Sequence, residues 1–424
     1  EVIMRLIKNI IWIIIIISLL NSCSFFNNPD KNVIKIGVIL PLSGDNYKVI
    51  KEIQQAIDLG VDIINYKYDL PIKYAVSEGI PGQHNKKIKI IYKDYGNDQQ
   101  KVNDLVDELV KEDHVALLIG CYFSNATALA SERAQLYDIP FFTFTSTAPV
   151  LTRRGLSNFY RTTPDDEIFS SNFFEFLNEL SQSYTFPKRI VLVYENSIWG
   201  TNVAQAEMRY AMKNNYKVVE EISYDYSRLY PERYIKQIRE AMPAIIMHAS
   251  YDQDAIQWMR AYKKNNINPI AILAMNAGFS SPSFVDSLKT DSNFIISRET
   301  WAKDINRFNP LSKSINDLYR IRYQQDLTGN SARAFTGLFT VATVIDQAKS
   351  LSANDIKTSI MKLKIPKEQI IMPWDGIQFE RNGQNVLGKG IIIQIHNEKS
   401  YVIWPKELAG QNVVMPFPKW SERR

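Results

Sequence analysis

A serine and a run of hydroxyls stand where a small anion would be held. Ser124 follows the apolar run Val115 to Gly120 and opens Ser124-Asn125-Ala126-Thr127, just beyond a strand, where a helix begins. Backbone N–H groups in a helix's first turn lack intrahelical partners; with a Ser hydroxyl beside them they make a ready carboxylate site. Thr143, Thr145, Ser146 and Thr147 cluster at the end of a second strand-like run, Ile139 to Phe144. Hydroxyls grouped at a strand's carboxyl end suit small-ligand binding in an open α/β sheet, and they suit helix capping and turns as well. Other chemistry is scarce. The chain has no Gly-x-x-x-x-Gly-Lys phosphate loop, no Gly-x-Ser-x-Gly elbow and no His-Glu-x-x-His zinc motif. His84, His114, His248 and His396 are scattered, with no two at ligand spacing on one helix. Thr163-Pro164-Asp165-Asp166 offers a carboxylate pair, but a capping Thr, a Pro and first-turn acids describe a helix start more cheaply. Cys121, directly after the strand, reads as a small buried hydrophobe. Binding without covalent chemistry, metal or cofactor is the expectation.

The elements that must position these residues alternate along the chain. Val33 to Leu40 is a β-rich run with little polar interruption, as in a strand covered on both faces. Ile50, Ile53, Ile57, Val61 and Ile64 then recur every three or four residues and mark a helix face. Ile88 to Tyr92 and Val115 to Ile119 continue the strands, with a helix through Val102, Val106 and Leu109 between them. A second series follows Arg161, with strands at Ile190 to Tyr194, Ala244 to Met247 and Ile270 to Ala274. This alternation predicts α/β architecture in two doubly wound, mostly parallel-sheet lobes, and 424 residues suffice for both. The net charge of +5 comes without a dense basic block, which argues against a nucleic-acid partner. Before the body, Arg5 and Lys8 precede an apolar run, Ile10 to Leu20, too short for a typical spanning helix. Residues 1–22 therefore read as a signal peptide. Leu20-Asn21-Ser22-Cys23 resembles the lipobox of bacterial lipoproteins, which makes Cys23 the expected lipidation site and residues 23–32 a tether. An uncleaved membrane anchor is the other reading.

Several segments, in order, resemble one family. Ile36 to Gly44, Asp94-Tyr95-Gly96-Asn97-Asp98, Ile119 to Thr152, Tyr160-Arg161-Thr162 and Val191 to Tyr194 are similar to the leucine/isoleucine/valine-binding proteins. These are type I periplasmic solute-binding proteins serving ABC importers. The resemblance implies a ligand carboxylate held by Ser124 and Thr147, with backbone contacts from Thr145. It places closing aromatics at Trp199 and Tyr251, and a further candidate at Tyr47. Members that bind α-amino acids carry an acid for the ammonium after the Ile270 to Ala274 strand. The matching segment here is Met275-Asn276-Ala277-Gly278, with Ala277 at that site and Asn276 beside it. Arg333 falls near a position that is usually aromatic. The pocket implied is short of negative charge, so the expected ligand is a small carboxylate or amide lacking the ammonium, or a branched-chain or other amino acid for which Asn276 replaces the acid weakly. The resemblance further implies lobe one at 33–163 and 301–381, lobe two at 164–300 and 382–424, and a three-segment hinge. It implies an ABC permease partner, a lipid-anchored place in the periplasm or on the cell surface, and a monomer. A sensing module read by a membrane receptor is the alternative.

Overall fold

The strands that read as unbroken apolar runs are interior ones. In the computed structural model, which describes residues 32–275 and 278–423, β1 (Val33–Leu40) lies between β2 (Lys87–Asp94) and β3 (Leu117–Gly120), parallel to both. Its Ile34, Ile36, Val38, Ile39 and Leu40 are all buried because helices cover both faces of the sheet. With β4 (Phe141–Thr143) and β5 (Phe159–Arg161) the first sheet runs β2-β1-β3-β4-β5. Its crossovers include helices α1 (Tyr47–Asn65), α2 (Val102–Lys111) and α3 (Ser124–Gln135). Ile50, Ile53, Ile57 and Ile64 of α1 are buried, as their spacing requires.

The chain then builds a second sheet from β6 (Arg189–Glu195), β7 (Lys217–Tyr224), β8 (Ile245–Ala249), β9 (Ala271–Ala274) and β10 (Ile296–Glu299). Helices α4 (Asp166–Leu180), α5 (Ile198–Lys213), α6 (Ile235–Ala241), α7 (Asp252–Lys264) and α8 (Pro282–Leu288) precede and join them. The order β7-β6-β8-β9-β10 repeats that of the first sheet. Three helices, α9 (Pro310–Tyr323), α10 (Gly329–Gln347) and α11 (Ala353–Lys362), return to the first body, where α10 packs along α1. The short strands β11 (Ile365–Pro366) and β12 (Gly376–Ile377) pair antiparallel. Finally β13 (Ile391–His396) and β14 (Lys399–Trp404) extend the second sheet, antiparallel beside β10.

Buried hydrogen bonds clip the crossings between the two bodies. Arg161, fully buried, donates from Nη1 to the Ala148 carbonyl (2.7 Å) and from Nε to Gln384 Oε1 (2.7 Å). Gln384 Nε2 donates to the Thr163 carbonyl (2.9 Å), and Asn385 Nδ2 to that of Thr162 (2.9 Å). Thr163 thus belongs to the crossing, and the expected Thr cap is corrected. Asp165 caps α4, accepting from the Ile168 N–H at 3.1 Å, because α4 begins two residues later than the Thr-Pro pattern suggested. Signal residues 1–22, Cys23 and all of the tether except Asn32 lie outside the described residues, as do Asn276 and Ala277.

Candidate functional site

In an open parallel sheet, ligands bind outside the carboxyl ends of the strands, where strand order reverses. The reversal falls between β1 and β3 in the first sheet, and between β6 and β8 in the second. Ser124 opens α3 after β3, and Thr145 and Thr147 follow β4; Trp199 lies in the first turn of α5 after β6, and Tyr251 precedes α7 after β8. These five residues line a single cavity of about 20 Å³, together with Tyr122, Ser146, Arg298, Asn330 and Arg333. Small-molecule pockets usually measure about 300 Å³ or more, so admission requires the lobes to part or the aromatic side chains to swing aside.

The hydroxyls divide into two groups. Ser146 Oγ lies 2.6 Å from Thr127 Oγ1 and reaches the carbonyls of Cys121 (2.8 Å) and Tyr122 (3.1 Å). Thr127 also accepts from the Cys121 N–H at 3.1 Å. Those two pin the β4 turn onto the β3–α3 junction, as turn chemistry predicts. Ser124 and Thr147 are held at the cavity wall by that clamp, and α3 starts without a side-chain cap, because Phe123 at the N-cap has no acceptor to offer. Cys121 contributes backbone groups only; burial pushes its thiol up, away from thiolate chemistry.

Aromatic rings close the opposite wall. Tyr251 meets Trp199 (ring centroids 4.7 Å apart), Phe123 (4.9 Å) and Tyr122 (6.1 Å), so one tyrosine of the second body packs against two rings of the first. Two asparagines bridge the same gap. Asn125 Oδ1 accepts from the Ile198 N–H at 3.0 Å, and Asn202 Oδ1 from the Val150 N–H at 3.3 Å.

Arg298 and Arg333 bring charge. Arg298, 2% exposed, donates to Asp166 Oδ1 (3.4 Å) and Thr147 Oγ1 (3.5 Å), both from Nη2, while its Nε and Nη1 are buried without a partner. Burial pushes the Asp166 carboxyl up to about 6, against the pull of Arg298, and pushes the Arg298 guanidinium down. Burial thus works against both charges of the pair. Arg333 donates to the carbonyls of Thr145 and Gly329, at 3.3 Å each, and to Asn330. Burial and then the charge of Arg298 push it down to about 10.

Tyr47 stands apart from this constellation. It is 52% exposed at the start of α1 and faces a groove with Pro282 and Asp286. The residues that sequence reasoning missed are Arg298, Tyr122 and Asn330. A charged residue inside a four-residue strand carries no local signal of a site. A larger cavity, about 610 Å³, lies elsewhere, between Glu299, Trp301, Thr328 and Tyr401. None of the hydroxyl or aromatic group lines it, and chemistry rather than volume locates the site.

Comparison with known proteins agrees with this fold. A family model described as "Periplasmic binding protein" matches residues 33–398. A "Leu/Ile/Val-binding protein homolog 7" from Brucella suis biovar 1 (strain 1330) is 22% identical over 395 residues, covering 90% of this chain and 94% of the relative. The crystal structure of a leucine-binding protein from Thermotoga maritima MSB8 superposes with a TM-score of 0.75 at 14% identity, covering 87% of this chain and 97% of that one. A solute-binding protein from R. palustris in complex with benzoate gives 0.72 at 13% identity, covering 88% and 95%.

Proposed function

The chain belongs to the periplasmic binding protein family, and from that premise we propose that it captures a small carboxylate-bearing solute between its lobes and delivers it to an ABC importer. The observation that carries this reading is the meeting of Ser124, Thr145 and Thr147 from one lobe with Trp199 and Tyr251 from the other around one cavity. Ser124 and the open N-terminus of α3 receive the carboxylate, Thr147 flanks it, and the aromatics supply apolar contact. Closure is favoured because bonds across the gap, such as Asn125 to Ile198, form only when the lobes meet. Lobe one comprises 33–163 and 301–381, lobe two 164–300 and 382–424. The protein acts as a monomer outside the cytoplasm, held to the membrane by lipid on Cys23. No helix among the described residues is long and apolar enough to cross a membrane.

The relatives' names speak of branched-chain amino acids, and one solved neighbour holds benzoate. Ala277 at the ammonium position and two arginines at the cavity favour the ammonium-free side of that range. Calorimetric titration with leucine, valine, 4-methylpentanoate and benzoate tests the reading, with small-angle scattering to follow compaction. A carboxylate should bind and compact the protein. Ser124→Ala should weaken that binding by about tenfold or more, the worth of a hydrogen bond to a charged group. Binding of no carboxylate, or affinity unmoved by Ser124→Ala, refutes it.

A further inference from the structure

Two buried guanidinium groups converge on one turn of the cleft, one from each lobe. Arg298, at the end of β10, reaches Thr147 Oγ1 at 3.5 Å, and Arg333, in α10, reaches the Thr145 carbonyl at 3.3 Å. Like charges brought out of water side by side are costly, and each needs a counter-ion. Arg298 has one, Asp166, which engages only its Nη2; the guanidinium lies over the Phe169 ring (4.0 Å to the centroid), and Nε and Nη1 stay buried without a hydrogen-bond partner at a residue that lines the cavity. Arg333 is 3% exposed, and its hydrogen-bond partners are two carbonyls and an amide. Among the described residues no carboxylate lies within ion-pair distance of it; Glu299 and Asp166 act on it only from farther off. Ser124, at the start of α3, lines the same cavity, so two sets of groups able to hold an anion meet there.

We propose that the cleft selects a dicarboxylate, one carboxylate on Ser124 and the α3 N-terminus and the second between Arg298 and Arg333. This rests on the cleft reading above and goes further by fixing the charge of the ligand. It also makes closure conditional. Arg298 belongs to the second sheet and Arg333 to a helix of the first body, so bringing the lobes together presses the two guanidiniums toward each other. A second carboxylate between them relieves that repulsion, and a monocarboxylate or a zwitterion does not. Guanidinium–carboxylate pairs in a desolvated site are strong and geometrically selective.

The test is a titration of the full mature chain with succinate, glutarate and adipate against butanoate, pentanoate and hexanoate, with leucine alongside. One diacid should bind at least about tenfold tighter than the monoacid of equal length and than leucine. Arg333→Gln should remove that preference, lowering diacid affinity by about tenfold or more and monoacid affinity by clearly less, so that the ratio between the two series collapses. Arg333→Lys, which keeps the charge, should retain part of the preference and controls for a fold defect. Equal affinity for diacid and monoacid, tighter binding of leucine, or an Arg333→Gln loss shared equally by both acid series would overturn the proposal. Ser124→Ala separates the two levels. Leucine binding tighter than any diacid, and weakened by Ser124→Ala, sinks the dicarboxylate and leaves the cleft reading intact, whereas binding of no carboxylate sinks both.

Discussion

Helices α3 and α7 occupy the same place in two sheets of the same strand order, yet one first turn is acidic and the other carries no charge. Each follows the third strand of its lobe, β3 or β8, and each has an aromatic N-cap, Phe123 or Tyr251, with no side-chain cap bond. The α7 first turn then carries Asp252 and Asp254, whereas the matching positions of α3 are Ser124 and Ala126. A helix N-terminus attracts negative charge. Helix α7 supplies its own, and α3 leaves the demand to something outside the chain. The repeated topology therefore builds two equivalent platforms, and two residues in one turn decide which of them takes the ligand's anion.

Reversing that assignment should give the largest effect. Ser124→Asp puts a carboxylate where the ligand's belongs. At an effective dielectric near 20, two charges about 4 Å apart repel by roughly 4 kcal/mol, so affinity for the preferred carboxylate should fall by at least about a hundredfold. The melting temperature should hold or rise, since an acid in the first turn favours the helix. Unchanged affinity in titration would show that α3 is not the anion platform. The opposite experiment acts on stability. Asp252 accepts hydrogen bonds from the buried hydroxyls of Ser281 and Ser283, so Asp252→Ala removes two bonds to a carboxylate and leaves the hydroxyls only each other and the Phe284 N–H. Chemical denaturation should show a loss of about 2 kcal/mol, with carboxylate affinity altered less than about threefold. A large affinity loss without destabilisation would mean that the two platforms share the ligand.

How much of this comparison could be read from the sequence depended on where each signal lies. The apolar strands and the α1 helix face were legible because burial on one or both faces writes itself into local residue type. So were Ser124 and the Thr145 to Thr147 cluster, since a strand end and its following turn are contiguous in sequence. Strand β7 escaped because, at the edge of its sheet, its half-buried Val218-Val219 pair is followed by Glu220-Glu221, with neither an apolar run nor an alternation. Strand β10, Ile-Ser-Arg-Glu, is buried throughout but too short and polar to announce itself. Arg298 was lost with it, because its meaning comes from Thr147 and Asp166, more than a hundred residues away in sequence. Tyr47 failed in the other direction. A resemblance placed it at the site, but at the start of α1 it is half-exposed and lines a different groove, with Pro282 and Asp286.

The smallest expected effect concerns the second acid of α7, and it separates a helix-end role from a core role for that charge. Asp254 lies beneath the cleft, accepting from Tyr224 Oη at 2.5 Å in a chain that continues through Ser250 to His248 Nδ1, 2.9 Å from Ser250 Oγ. Burial pushes its carboxyl up to about 7 from an ordinary 3.8, with the Tyr224 hydrogen bond pulling the other way. The folded protein therefore keeps this proton to near pH 7, while the unfolded chain releases it near pH 4. Between those values the native state binds more protons than the unfolded one, so this group's contribution to stability is complete below about pH 4 and lost as pH rises through 7. Asp254→Asn cannot titrate. Glu52 and Asp166, also pushed up by burial to about 7 and 6, titrate in both proteins and cancel in the difference. The melting temperature of Asp254→Asn minus that of the native chain should thus climb by a few degrees from pH 4 to 7 and level off above. A constant difference across that range would mean that Asp254 stays ionised and serves the α7 N-terminus as Asp252 does. In that case α7 would carry two charges against none on α3, and the contrast between the platforms would be larger than burial alone allows.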